Sequence, residues 1–235
     1  AAATSGAGGA NANVGLAGSL AINAVQTRAA AFVAAGTTLD LGGGKLTLTA
    51  TSDTSNEASA KSDQVAGKSV GVGASVALNF ADSLTRATLN DATLSNLTDT
   101  ALTAAGTHAV VTDAEAGAKG GTAATPVVAI ALTNHTTEAT LPAGSLLSLT
   151  GDLDATATQS TDTGTTATGA AESNGSAALG MAFGFTSTND QVRALAGRAV
   201  MAGGNLSLKS RGAAKTATVG EADATGAAAP ANGNN

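Results

Sequence analysis

A short phrase of alternating residues recurs four times along the chain at nearly constant spacing. Its copies are SLAIN at residues 19–23, SVALN at 75–79, AIALT at 129–133 and AFGFT at 182–186. Their second residues fall at positions 20, 76, 130 and 183, so the steps are 56, 54 and 53 residues. A fixed period of this order is typical of stacked supersecondary units, none of which can bury its apolar face alone. We therefore expect an array of units and not a compact enzyme domain.

Two further segments follow each copy of the phrase and are predicted to be short strands. The first is RAA at residues 28–30, RAT at 86–88, EAT at 138–140 and RAL at 193–195. The second follows a Gly-rich turn and is KLTL at residues 45–48, DLDA at 152–155 and NLSL at 205–208. The second unit departs from this pattern, with an extra-looking stretch at 95–102 and only a loose equivalent, HAVV, at 108–111.

The spacing of apolar residues predicts strands, although Ala is a strong helix former and is abundant here. Large apolar residues alternate with period two in VGVGA at residues 70–74 and in LTLTA at 46–50, as pleated strands require. Gly costs about 1 kcal/mol relative to Ala inside a helix, and three glycines follow one another at residues 42–44. The alternation and the glycines together favour an all-β chain.

Small residues occupy every second position in this part of the second unit. Gly71, Gly73, Ser75 and Ala77 leave room for another backbone layer to approach that side of the strand closely. We therefore expect a flattened solenoid in which two sheets are pressed together.

The last residue of the phrase is predicted to lie at a turn of the coil. Asn23 and Asn79 would then stack and hydrogen-bond along the array axis, as amide ladders do in cross-β structures. Thr133 and Thr186 occupy this position in the later units, so the predicted turn ladder is partial.

The number of coils in each unit is not fixed by the period. An extended residue spans about 3.3 Å, so more than fifty residues are too many for one compact triangular coil. Two or three coils, or one coil with a projecting arm, satisfy this length. The charged residues Arg28, Arg86, Glu138 and Arg193 provide a test, because they form one column only if successive units stack at about 4.8 Å.

Composition excludes several classes of function. Aromatic residues make up 2% of the chain, with no Trp or Tyr, so a roomy core filled by large rings is not expected. The absence of Cys excludes disulfides and thiolate metal sites. A net charge of −6 argues against nucleic acid as a partner. The sequence contains no apolar stretch of about 20 residues, so membrane insertion is not expected.

Few residues qualify as candidates for a chemical site, and we predict no catalytic or cofactor-binding residue. His108 and His135 lack partners with ligand spacing and are interpreted as solvated loop residues. The acidic pairs Asp113 with Glu115 and Asp152 with Asp154 each place two carboxylates on one face of a strand. Such pairs could bind Ca²⁺, but solubility and edge protection are their default interpretation.

One stretch of the chain carries a family resemblance. VGVGASVALN at residues 70–79, TRATL at 85–89 and a later Gly-Asp/Asn-Leu strand resemble the repeats of very large bacterial filamentous adhesins, of the leukotoxin and haemagglutinin-like types. The resemblance extends over residues 14–225. It implies a right-handed parallel β-solenoid, exported to the bacterial cell surface, that serves as a stalk or adhesive fibre without catalysis.

These observations give one expected organisation. We predict a single all-β solenoid with units at residues 15–69, 70–124, 125–178 and 179–225 and a flexible tail or linker at 226–235. The chain opens without Met and is interpreted as a piece of a longer fibre protein, acting as adhesin stalk, aggregation factor or filament subunit. Its expected partners are adjacent repeats, other copies, or a host or neighbouring cell surface. The alternative is a module that binds glycan or host protein along one solenoid face.

Overall fold

The computed structural model describes residues 1–6 and 13–226, and all the regular elements in them are β-strands. Most of the predicted tail lies outside the described residues. No described residue belongs to a helix that is long and apolar enough to cross a bilayer. The strands are β1 (Ala2–Ser5), β2 (Val14–Val33), β3 (Thr38–Asp40), β4 (Leu46–Ala66), β5 (Val70–Leu89), β6 (Thr93–Ser95), β7 (Thr100–Leu141), β8 (Leu147–Leu149), β9 (Leu153–Ala196), β10 (Val200–Ala202) and β11 (Leu206–Thr225).

Successive units pair with one another residue by residue, so each unit is one coil. Val14 of β2 lies opposite Val70 of β5, and Leu46 of β4 lies opposite Thr100 of β7. All these pairings are parallel, and from β2 to β11 partners are 52 to 56 residues apart. Of the alternatives left open by the period, the structure has one coil per unit, because long strands take up the length that a compact coil could not.

Each coil contributes to three sheets. The first sheet contains β2, β5, residues 122–141 of β7 and residues 177–196 of β9. The second contains β1, β4, residues 100–120 of β7, residues 153–173 of β9 and β11. The short strands form two separate two-stranded sheets, β3 with β6 and β8 with β10, along a narrow third side of the coils that we call the third sheet. This arrangement confirms the predicted all-β fold of stacked parallel coils, a β-solenoid.

The first and second sheets approach each other closely along most of their length. A Cβ atom on Gly71 would lie 2.2 Å from the carbonyl oxygen of Lys119, and one on Gly73 would lie 2.5 Å from that of Gly117. Inward positions nearby hold buried Ala and Ser side chains, such as Ala77. The expectation that small residues admit a second backbone layer is confirmed.

The solenoid widens toward the third sheet, where the large core side chains lie. Leu89, Leu102, Leu141 and Leu153 are at most 1% exposed and pack with Leu147 and Leu149 of β8. The coil is therefore a wedge, thin where Ala and Gly separate two backbones and thick where Leu separates three sheets.

The register corrects several details of the sequence alignment. Val76 lies opposite Val128, so the third copy of the phrase starts two residues earlier than predicted. A shift of two leaves the same side chains outward. Residues 108–111 are not the counterpart of 45–48, since Leu46 lies opposite Thr100. The stretch at 95–102 supplies a corner and the start of β7, and Asn96 takes a left-handed φ of 53° at that corner.

Pro126 interrupts the pairing of two long strands. It stands at an outward position of β7, opposite Met181 of β9. The pairing of β5 with β7 is interrupted there, between Val72 and Ser75. Proline has no N–H to donate to the neighbouring strand, which accounts for the interruption.

Candidate interaction face

The predicted turn ladder is not at a turn and joins only two of its four residues. Asn23 and Asn79 lie opposite each other in the middle of β2 and β5, and Asn23 Nδ2 donates to Asn79 Oδ1 over 3.1 Å. Asn79 then faces Ala131, which in turn faces Thr186, whereas Thr133 faces Thr188. The two threonines therefore belong to different columns.

Asn79 has a structural role across the solenoid. Its side chain is fully buried, and its Nδ2 donates to the carbonyl oxygens of Asn56 at 3.2 Å and Val111 at 3.0 Å. Both acceptors lie in the second sheet, while Asn79 lies in the first. This amide therefore satisfies two carbonyl groups of the opposing sheet in the thin part of the solenoid.

A longer polar column lies three residues further along, on the outer surface of the first sheet. We call it the amide row. Gln26 and Asn134 donate to the two carboxylate oxygens of Asp82 at 2.9 and 2.8 Å, and Asn189 donates to Asn134 at 2.9 Å. Hydrogen bonds from Gln26 and Asn134 hold the pKa of Asp82 below its ordinary value. In the sequence the four residues of the amide row follow one another at steps of 56, 52 and 55 residues, close to the repeat period. They lie outside the recurring phrase, so they were not predicted from the sequence.

The outer surface beside the amide row is apolar. We define the apolar face as the outward side chains of the first sheet that precede the amide row in each strand. Inward positions of these strands hold small residues, so the large side chains point to solvent, and several are 37–67% exposed. They are Leu16, Leu20, Ile22, Phe80, Leu132, Leu179, Met181, Phe183 and Phe185.

The side chains of the apolar face form columns along the solenoid axis. Leu20 lies opposite Val76, which faces Val128 and then Phe183. The rings of Phe183 and Phe185 lie parallel with centroids 6.5 Å apart. A groove of about 500 Å³ beside Phe80 connects this surface to the amide row.

The structure places the two candidate calcium pairs in separate structural contacts. Asp113 and Glu115 point outward from the second sheet, and Glu115 accepts a hydrogen bond from Lys61 of the previous coil at 3.1 Å. This contact raises the pKa of Lys61. Among the described residues, no group of three or more His, Asp or Glu side chains is placed to hold a metal ion.

The second pair lies at a corner of the coil. Asp152 accepts a hydrogen bond from the backbone N–H of Asn205 in the next coil at 2.6 Å, and its own N–H donates to Asp99 in the previous coil at 3.0 Å. A Cβ on Gly151 would lie 2.0 Å from a carboxylate oxygen of Asp99. The Gly-Asp/Asn-Leu pattern is thus a coil-to-coil contact in which Gly leaves room for the Asp99 carboxylate, and Asp154 points away from it into solvent.

The two histidines are buried, so their interpretation as solvated loop residues is wrong. His108 is on the second sheet and His135 on the first, both at most 1% exposed, and their rings stack with centroids 4.3 Å apart. The Thr54 hydroxyl lies 2.8 Å from His108 Nδ1. Burial lowers the pKa of His135, and burial together with His135 lowers the pKa of His108 to about 4.

The charged column is formed in part. Arg86, Glu138 and Arg193 lie opposite one another on successive coils, and Arg86 Nε donates to Glu138 Oε1 at 2.5 Å. Arg28 lies opposite Leu84 and is outside the column. The sequence predicted contact along this column only if successive units stack directly on one another. The Arg86–Glu138 contact is therefore consistent with one coil per unit.

Comparisons of the chain with protein-family models, with curated proteins and with solved structures found no match. The geometry itself therefore identifies the candidate site. The apolar face and the amide row together form a wide, flat surface suited to contact with another extended surface, and the amide groups are already bonded to one another.

Proposed function

We propose that this chain is a structural β-solenoid segment of a bacterial cell-surface or extracellular fibre, serving as adhesin stalk, aggregation factor or filament subunit, and that it acts without catalysis. The observation that carries this proposal is the parallel register of one coil per unit. Backbone hydrogen bonds then run along the axis, and each coil covers the strand edges of its neighbours.

The dimensions of a coil support a fibre made from many coils. A strand of 20 residues spans about 66 Å, whereas four coils at about 4.8 Å extend only about 19 Å along the axis. These coils therefore form a broad slab. A fibre requires further coils, supplied by more repeats or by other copies of the chain.

The outermost strands support axial growth. Within the described residues, β2 and β11 each pair with one neighbouring strand only. Their second edges present backbone N–H and C=O groups that favour addition of another strand. Leu206 and Leu208 of β11 occupy core columns yet are 53% and 42% exposed, so a further coil would also bury apolar area.

Electron microscopy and fibre diffraction of the purified chain test this proposal. We expect ribbons about 66 Å wide whose length grows with protein concentration, and a reflection near 4.8 Å along the ribbon axis. A tandem fusion of two copies should double the axial length of the smallest particle at unchanged width. Globular particles of the fusion, or a 4.8 Å reflection perpendicular to the axis, would contradict the proposal.

A binding module for glycan or host protein is the second candidate function. It is favoured by the exposed rings of Phe183 and Phe185 on the same sheet as the amide row, since sugars bind to aromatic faces with polar groups beside them. Glycan-array binding that Phe185→Ser abolishes would support this function. Unchanged binding by that variant would remove it.

A further inference from the structure

The two large sheets of the solenoid have similar inward faces and different outward faces. Outward positions of the second sheet carry Thr and charged residues, as in the column Thr49, Thr103 and Thr156. The corresponding positions of the first sheet carry the apolar face. Among the described residues, the fold therefore concentrates its exposed large apolar side chains on one broad side, whereas the other carries few, such as Val111 and Val219.

The apolar face is a continuous patch of large area and not a set of single exposed residues. It is four strands wide, or about 19 Å, and nine residues long from Leu16 to Ala24, or about 30 Å. Its footprint is therefore roughly 600 Å², at the upper end of the largest apolar patches on monomeric proteins. No Asp, Glu, Lys or Arg occurs at outward positions in this stretch of the four strands.

The area of the face fits a contact between two copies. Two footprints of roughly 600 Å² give roughly 1,200 Å² of buried surface, which reaches the lower range of specific interfaces and exceeds most incidental contacts. Because no ionised group lies within the face, association of two copies would bury no unpaired charge. The amide row would lie at the rim with its hydrogen bonds already made.

The geometry of the face also selects a second sheet as its partner. Outward side chains repeat about every 6.6 Å along a strand and about every 4.8 Å across strands. Another copy of the same face has the same spacings, and two such sheets can interdigitate as in a β-sandwich. The charges of the chain lie elsewhere on each copy, so their repulsion is long-range and screened by salt.

We propose that the apolar face binds the apolar face of a second copy of this chain, sheet against sheet, about 10 Å apart. This lateral contact goes beyond the proposed axial growth, since it involves the side of the solenoid and not its ends. A ribbon formed by axial stacking would become a double ribbon.

Sedimentation of the whole chain between 1 and 100 μM tests the contact. We expect the smallest assembly to be a dimer that strengthens as salt is raised, and this dimer to weaken at least tenfold in Phe183→Lys and in Ile22→Lys, both at exposed positions. Thr103→Lys, on the outer side of the second sheet, is the matched control and should leave the dimer unchanged. Circular dichroism should show all three variants folded. A monomer at all concentrations, or equal effects of all three, would overturn the proposal.

A cross-link separates the lateral contact from axial growth. The chain has no Cys, so Val128→Cys places one thiol in the centre of the apolar face, and a short bismaleimide should join two copies. Thr103→Cys should give no product. Axial chains without this cross-link would overturn the lateral contact and leave the proposed function intact. Cross-linked pairs that never elongate would support the lateral contact and overturn the proposed function.

Binding of phosphatidylcholine vesicles by a chain that stays monomeric would overturn the proposal in favour of a lipid partner.

Discussion

The imidazole rings of His108 and His135 stack across the interior of the solenoid, with planes 8° apart and centroids separated by 4.3 Å. Among the described residues, none is placed to hydrogen-bond His135 Nδ1, His135 Nε2 or His108 Nε2. Buried nitrogen atoms in this setting favour the neutral ring, because a charged ring would lose its hydration without gaining a counter-ion in contact. Asp190, Asp82 and Asp53 oppose this effect and do not cancel it.

We predict that acid destabilises the fold through these rings. The pKa of His108 is about 4 in the folded chain and near 6.5 when unfolded. The unfolded state therefore binds more protons between these values. The free energy of unfolding should fall by about 3 kcal/mol as pH drops from 7 to 4 on account of His108 alone.

Urea unfolding of the chain and of His108→Asn at pH 7 and pH 4.5 measures this effect. The variant should lose part of the difference between the two pH values, because Asn does not titrate in this range. His135→Asn should act in the same direction. An identical pH dependence in the chain and both variants would show that carboxylates alone cause the acid loss.

The sequence predicted the solenoid because alternation and period are both local properties. Apart from Ala74, large and small residues alternate over residues 70–78. The spacing between copies of the phrase gave the approximate number of residues from one coil to the next. Alternation shows which residues share a side of a strand, but not which side faces inward. Here Gly71 and Gly73 face inward because two backbones meet, so Val72 and Val76 face outward, in reverse of the usual preference.

The amide row and the histidine pair were not predicted for a related reason. Both depend on the register between coils, and a shift of two residues, as in the third copy of the phrase, separates a true column from a false one. Thr133 aligns with Asn79 in sequence but lies opposite Ala81 in the sheet. Contacts between the two sheets, such as His108 with His135, depend in addition on the lengths of the corners.

We predict that a single methyl group at Gly71 disrupts the thin part of the solenoid. Gly71→Ala would place Cβ 2.2 Å from the carbonyl oxygen of Lys119, and relief requires separation of two backbones. The cost should be about 1–3 kcal/mol or more. Gly18→Ala in the neighbouring strand is the matched control, since no atom of the described residues would lie within 4 Å of its Cβ. Equal melting temperatures of the two variants would contradict this account.

The amide of Asn79 is predicted to stabilise the contact between sheets. Asn79→Ala leaves the carbonyl groups of Asn56 and Val111 without this donor, which should lower the free energy of unfolding by about 1–3 kcal/mol. Asn134→Ala removes an exposed amide of the amide row and should cost much less. Hydrogen exchange should speed up in both sheets around residue 79 in the first variant only. Comparable losses of stability in both variants would refute a special role for the buried amide.

Arg198 connects coils that are two units apart. Its side chain is 1% exposed. One guanidinium nitrogen, Nη2, donates to the carbonyl oxygens of Leu89 at 2.5 Å and Asn90 at 3.0 Å, while Nη1 lies 3.8 Å from Asp91. Burial lowers the pKa of the guanidinium, so its contacts have to compensate for lost hydration. We predict that Arg198→Lys lowers the free energy of unfolding by about 1–3 kcal/mol, because one ammonium group cannot reproduce the planar set of donors.

The exposed Arg211→Lys in β11 serves as the control for Arg198→Lys and should change stability by less than about 0.5 kcal/mol. Solenoid coils can unfold separately, so hydrogen exchange should accompany urea unfolding. Faster exchange should appear at residues 89–91 as well as around residue 198, because the contact reaches back by two coils. Faster exchange confined to the corner at residue 198 would show that the guanidinium stabilises its own coil and does not join it to the earlier one.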